Sequence, residues 1–137
     1  MLVARHAGKV RDHGVRIGGS VYIPSENPKQ LEMRLDRIIT KAAVIKNPYE
    51  QRLFLLIHIS YSQAFADVNK RTARLSANIP LTKNHFVPLS FNDMQRTDYT
   101  SAMIAAYELQ NVHPILDLYV FSYMRELVLC MIQQLKR

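Results

Sequence analysis

Apolar residues recur along most of this chain at the three-to-four-residue spacing of helices. Leu31, Leu35, Ile38, Ile39 and Ala42 fall on one helical face, which predicts a helix from Pro28 to about Ile45. Asn27-Pro28 opens it with an N-cap amide and a proline at the first helical position. Asn47-Pro48 repeats that signal, with Glu50 placed as in a capping box, and predicts a second helix to about Tyr61. Its segment Leu53 to Ile59 is apolar enough to be buried. A third helix is expected over about 70–79, stopped by Pro80, and a fourth over about 96–110, with Tyr99, Met103, Ala106 and Tyr107 apolar. The last starts near Pro114 and runs to about Leu135, with apolar residues on nearly every side, among them Leu116, Val120, Phe121, Met124, Val128 and Met131. Such a helix is either central or half-covered by another chain.

One stretch departs from this pattern. Val15 to Pro24 reads as two short strands around Gly18-Gly19, a hairpin over about 15–23. Met1 to His13 is basic and reads as loose, and Thr82 to Asp93 reads as a connector with Pro88. The expected architecture is a mainly α helical bundle with a small β-hairpin, organised as a flexible or truncated segment, 1–14, and one domain, 15–137. No internal repeat or low-complexity segment is visible.

The candidate chemistry lies between the second and third helices, in Gln63-Ala64-Phe65-Ala66-Asp67-Val68-Asn69-Lys70-Arg71-Thr72-Ala73-Arg74. A polar connector that opens a helix offers free backbone N–H groups and the positive end of the helix dipole, which suits phosphate. Arg71 and Arg74 are three apart and share a helix face, where two guanidiniums can grip phosphate oxygens. Asp67 is a hard oxygen ligand of the type Mg²⁺ takes beside phosphates, and Asn69 can donate its amide to an anion. The plainer alternative is a solvated helix start laced with i,i+3 and i,i+4 ion pairs.

The whole pattern resembles the signature of Fic-domain proteins, H-x-F-x-[DE]-G-N-[GK]-R-x-x-R, aligned without gaps. Phe65, Asp67, Asn69, Arg71 and Arg74 stand where that family has its core Phe, metal-binding acid, phosphate-binding Asn and two arginines. Lys70 matches a variant seen in the Doc-like branch. Position 63 is Gln where the family has its catalytic His, and Val68 replaces a Gly. A bacterial subgroup with a motif of the type Q-x-F-x-D-V-N-K-R is similar to this chain, also in Asn78-Ile79-Pro80-Leu81, Pro88-Leu89-Ser90-Phe91 and Tyr107-Glu108-Leu109. The resemblance covers roughly residues 7 to 126.

The resemblance implies a Fic-type helical bundle in which the hairpin is the flap. Its residues Arg16, Ile17, Gly18, Gly19, Ser20 and Val21 would dock an extended segment of a protein target by strand addition. ATP and Mg²⁺ are the implied cofactors: Asp67 would hold the metal, Asn69, Lys70 and Arg71 the phosphates, and Arg74 the terminal phosphate. Gln63 occupies the base position without useful basicity, and positioned acid–base catalysis contributes about 10²–10⁴-fold. Gln63 can still orient a hydroxyl by hydrogen bonding. Val68 sets a β-branched side chain where Gly allows positive φ, which predicts a remodelled loop. Fic proteins are often restrained by a helix bearing an [ST]-x-x-x-E motif. Ser122 to Glu126 has the spacing, but Leu127 does not fit. The expectation is therefore no built-in inhibitor, or one supplied by a partner or a missing segment.

Composition narrows the setting. The chain has 137 residues, 48% hydrophobic and 21% charged, enough for one modest core. No apolar run approaches a membrane span, the basic start lacks a signal-peptide core, and the single cysteine, Cys130, excludes an internal disulfide. A cytoplasmic setting fits, with Cys130 a packed core thiol. The net charge of +7 is scattered, and no RNP motif, Cys/His cluster or helix-turn-helix accompanies it. A nucleotide pocket explains part of the excess, and a nucleic-acid surface is disfavoured. His58, on the apolar second helix, reads as a core histidine. It precedes Gln63 by five residues, about 140° round a helix, and so does not replace it. His85 lies in the connector, His113 before Pro114, and His6 and His13 in the basic start; no grouping has zinc-ligand spacing.

Three functions remain open. The first is a protein adenylyltransferase (AMPylation) weakened by Gln63. The second is a catalytically inactive Fic-like binding or regulatory module. The third is a Doc-like protein phosphotransferase, which Lys70 favours. The last helix leaves a homo-oligomer open.

Overall fold

A computed structural model describes residues 6–92 and 94–137. Met1 to Arg5 of the basic start, and Asp93 at the end of the connector, lie outside the described residues. Five helices follow in order: α1 (Pro28–Val44), α2 (Pro48–Ser62), α3 (Asn69–Lys83), α4 (Arg96–Leu109) and α5 (His113–Leu135). The chain divides into two compact units, residues 1–84 with α1 to α3 and residues 85–137 with α4 and α5.

The first two helices start where their caps dictate. The Asn27 side chain accepts from the amides of Lys29 and Gln30, and that of Asn47 accepts from those of Tyr49 and Glu50. In the first unit α2 packs most extensively on α3. Ala73 and Ala77 are fully buried on α3, and side chains this small permit close approach. Leu31, Leu56, Ala64 and Leu81 complete a solvent-free core. In the second unit α4 packs on α5, burying Tyr99, Met103, Tyr107, Ile115 and Tyr119. There the Glu126 carboxylate accepts from the Ser90 amide at 3.0 Å through both oxygens. Val120, Phe121, Met124, Val128 and Met131 of α5 are exposed.

Four expectations are corrected. Pro80 does not stop α3, which runs on to Lys83. Proline removes one donor and crowds the carbonyl four residues back, but the turn beyond it is secured locally. Thr82 Oγ1 donates to the Asn78 carbonyl at 3.1 Å, and Asn84 Nδ2 donates to the Pro80 carbonyl at 2.7 Å. Burial of Pro80 and Leu81 holds that turn against α2 and the core.

The β-hairpin flap is not formed: among the described residues there is no strand. A turn does close at Gly18-Gly19, where the Ser20 amide donates to the Ile17 carbonyl at 3.2 Å. Only Gly19 has positive φ, +78°, whereas the tight hairpin turns need it at the first central residue. Turns of this kind splay the flanking chains. The Tyr22 amide donates to Ser20 Oγ instead of across a ladder. The arm after the turn is held by side chains: the Tyr22 ring stacks on Tyr61 at 4.5 Å, and its hydroxyl donates to the Tyr61 carbonyl. Burial and the neighbouring Tyr61 side chain push the Tyr22 phenol well above its ordinary pKa.

His58 is not a core histidine. It is exposed and its ring lies 4.2 Å from that of Phe54. Cys130 is half-buried rather than packed in the core.

Candidate functional site

The connector between α2 and α3 is built by short-range hydrogen bonds and one long-range clamp. α2 ends at Gln63, which takes a left-handed conformation, φ 44° and ψ 45°. Its side-chain Nε2 donates to the Ser60 carbonyl at 2.7 Å, the same carbonyl that accepts from the Gln63 amide at 3.3 Å. The Gln63 side chain thus closes the end of α2.

The clamp is Arg11, a fully buried side chain. Its Nε donates to the Gln63 carbonyl at 2.6 Å, one terminal nitrogen to the His13 carbonyl at 2.6 Å, and the other to the Ser25 carbonyl. Its own amide donates to the Ala64 carbonyl at 3.0 Å. Burial pulls the guanidinium below its ordinary pKa, and the Glu26 carboxylate opposes that shift. In the sequence Arg11 is one more scattered cation of a basic start. No local signal marks it, because two of its carbonyl partners, Gln63 and Ser25, are distant in sequence.

At the other end, Asn69 closes the loop on itself. Its Oδ1 accepts from the Phe65 amide at 2.9 Å, and its Nδ2 donates to the Phe65 carbonyl at 2.7 Å. Asp67 is exposed, and its Oδ1 accepts from the Val68 amide at 2.6 Å. The second carboxylate oxygen makes no hydrogen bond among the described residues, so one hard oxygen faces solvent on the loop, the donor type Mg²⁺ takes.

Val68 precedes α3 with φ 61° and ψ 15°. Val68 takes the left-handed conformation that Gly adopts freely. A β-branched residue there is strained, by about 1–3 kcal/mol. No side chain caps α3. Lys70 and Arg71 are exposed at that helix start and make no ion pair among the described residues. Arg74, one turn on, is half-buried. The solvated network of ion pairs is thus not what Lys70 and Arg71 form.

Beside the end of α2 lies a cavity of about 220 Å³ lined by Arg34, Arg37 and Lys41 of α1 and by Phe54, His58 and Tyr61 of α2. No carboxylate lines it. Burial and the Lys41 charge hold the His58 pKa below its ordinary value.

The Fic/DOC family model matches residues 1–81, which contain the whole connector, and the chain belongs to that family. No curated protein matches the chain. No helix among the described residues is long and apolar enough to cross a membrane.

Proposed function

We propose that this chain is an ATP-binding Fic domain that transfers AMP to a protein hydroxyl slowly. The observation that carries this reading is Val68. A strained left-handed valine, followed by a helix start without a side-chain cap and flanked by Lys70 and Arg71, supports a loop kept in the shape of a phosphate cradle. Strain of this kind persists where the surrounding structure over-determines it, and here Asn69 and Arg11 do so.

In the proposed reaction the target hydroxyl oxygen bonds to the α-phosphorus of ATP, and pyrophosphate leaves. Asn69, Lys70 and Arg71 bind phosphate oxygens, and Arg74 holds the terminal phosphate. The amides of α3 add oriented dipoles at the same place. Asp67 offers its free oxygen to Mg²⁺, which when bound neutralises phosphate charge. The hydroxyl proton passes to water, because Gln63 is no base and its Nε2 is engaged by Ser60. A loss of about 10²–10⁴-fold relative to a histidine enzyme follows. The target docks along the arm after Gly19, where Val21 and Ile23 are 82% and 55% exposed.

The tie between Gln63 and Ser60 also supports a second reading, a non-catalytic module that binds nucleotide without turnover.

The test is label transfer to lysate proteins from ATP radiolabelled at the α- or the γ-phosphorus, with Mg²⁺, for wild type, Gln63→His and Asp67→Ala. Label from the α-position only, raised in Gln63→His and lost in Asp67→Ala, supports AMP transfer. Label from the γ-position only supports the phosphotransferase favoured by Lys70. No transfer by any variant leaves the binding module.

A further inference from the structure

We propose that His6, Asp12 and His13 form a binding site for a divalent transition-metal ion of the zinc class. These residues offer ligand atoms that all lie within 4.8 Å of one another. His13 Nδ1 lies 3.0 Å from Asp12 Oδ1, and the two imidazole rings are 5.3 Å apart at 62°.

The backbone assembles this group. The Lys9 amide donates to the His6 carbonyl at 3.3 Å, and Gly8, with φ +69°, turns the chain back so that His6 meets His13. A side chain at Gly8 would be strained there. The opposite side is anchored by Arg11, which donates to the His13 carbonyl at 2.6 Å from a fully buried position.

The donor set selects the ion. Two imidazoles and a carboxylate suit Zn²⁺, Ni²⁺ or Cu²⁺, whereas Mg²⁺ takes oxygens and keeps its waters. Three protein ligands leave a coordination position for water. Zn–N bonds of about 2.0–2.1 Å bring tetrahedral donors to about 3.3 Å from one another. The Asp12 and His13 side chains are 75% and 47% exposed, so they can close that gap without disturbing packing. The bound ion would also tie His6 to the segment that carries Arg11, and through it to the Gln63 carbonyl.

The site shares no residue with the Asp67 loop, so its test is independent of the proposed transferase activity. Zn²⁺ and Mg²⁺ are titrated calorimetrically into the full chain and into His6→Ala, His13→Ala, His58→Ala, Asp67→Ala and Cys130→Ser, each shown to be folded by circular dichroism. Wild type is expected to take one equivalent of Zn²⁺ more tightly than Mg²⁺. Zn²⁺ affinity should fall more than about tenfold in His6→Ala and His13→Ala, since losing even an outer-shell partner costs about 10–100-fold. It should be unchanged in the other three variants. Absence of Zn²⁺ binding by wild type, unchanged binding by a His6→Ala/His13→Ala double variant, or loss only in Asp67→Ala or Cys130→Ser would overturn the proposal.

Discussion

Arg11 Nε donates to the Gln63 carbonyl at 2.6 Å across fifty-two residues of sequence. The same guanidinium holds the carbonyls of His13 and Ser25, so one buried cation joins three separate pieces of backbone. Removing it should leave buried carbonyls without a donor. Arg11→Ala is expected to destabilise the fold by about 2–4 kcal/mol, read from urea unfolding. Arg11→Lys should restore little of this, because an ammonium lacks the planar fork that reaches three acceptors.

At Val68 the expected sign is opposite. Val68→Gly relieves a left-handed β-branched residue but loosens the unfolded chain, so the fold should gain between about 0 and 2 kcal/mol. Val68→Ile, equally branched, should give no gain. Thermal unfolding of the two variants compares them directly. If Val68→Gly lowers stability, the left-handed conformation is not a strained one.

Asn69 closes the loop through both ends of its amide. Asn69→Ala removes both bonds and should cost about 1–3 kcal/mol, with faster hydrogen exchange at the Phe65 amide. Asn69→Asp keeps the acceptor and loses the donor, so the Phe65 amide should remain more protected than in Asn69→Ala.

His58 supplies a pH dependence. Burial and Lys41 hold its pKa below the ordinary value, so the unfolded chain takes up the proton first as pH falls. Stability should be full above about pH 6.5 and decline below it, down to the folded-state pKa. The group is only partly buried, so solvent screening keeps the effect small. Denaturant midpoints at about pH 7.5 and pH 5.5 should differ less in His58→Gln than in wild type. An equal or larger difference in the variant would count against this assignment.

Local signals accounted for much of this fold. Asn27-Pro28 and Asn47-Pro48 announce α1 and α2 because a cap and a proline act on their own neighbours. The match of Asp67, Asn69, Arg71 and Arg74 to a family pattern likewise pointed to the Fic/DOC family, and these residues stand where a connector opens α3. What stayed hidden depends on distant partners. Arg11 looks like any surface cation until Gln63, His13 and Ser25 surround it. Pro80 carries a stop signal that Asn84 and burial override. Gly18-Gly19 permits several turns, and the one formed is not the one that pairs strands. His58 lies in an apolar run, but α2 turns it outward beside Lys41.

The connector from Gln63 to Asn69 is held at both ends before any ligand arrives. Conformational entropy that a mobile phosphate loop would lose on binding is here lost during folding. On the proposed function, nucleotide association should therefore proceed with little chain ordering, seen as a small heat-capacity change, and its strength should follow ionic strength more than temperature. The rigidity has a second side: a loop fixed in advance in one shape has little freedom to accept a ligand that needs another.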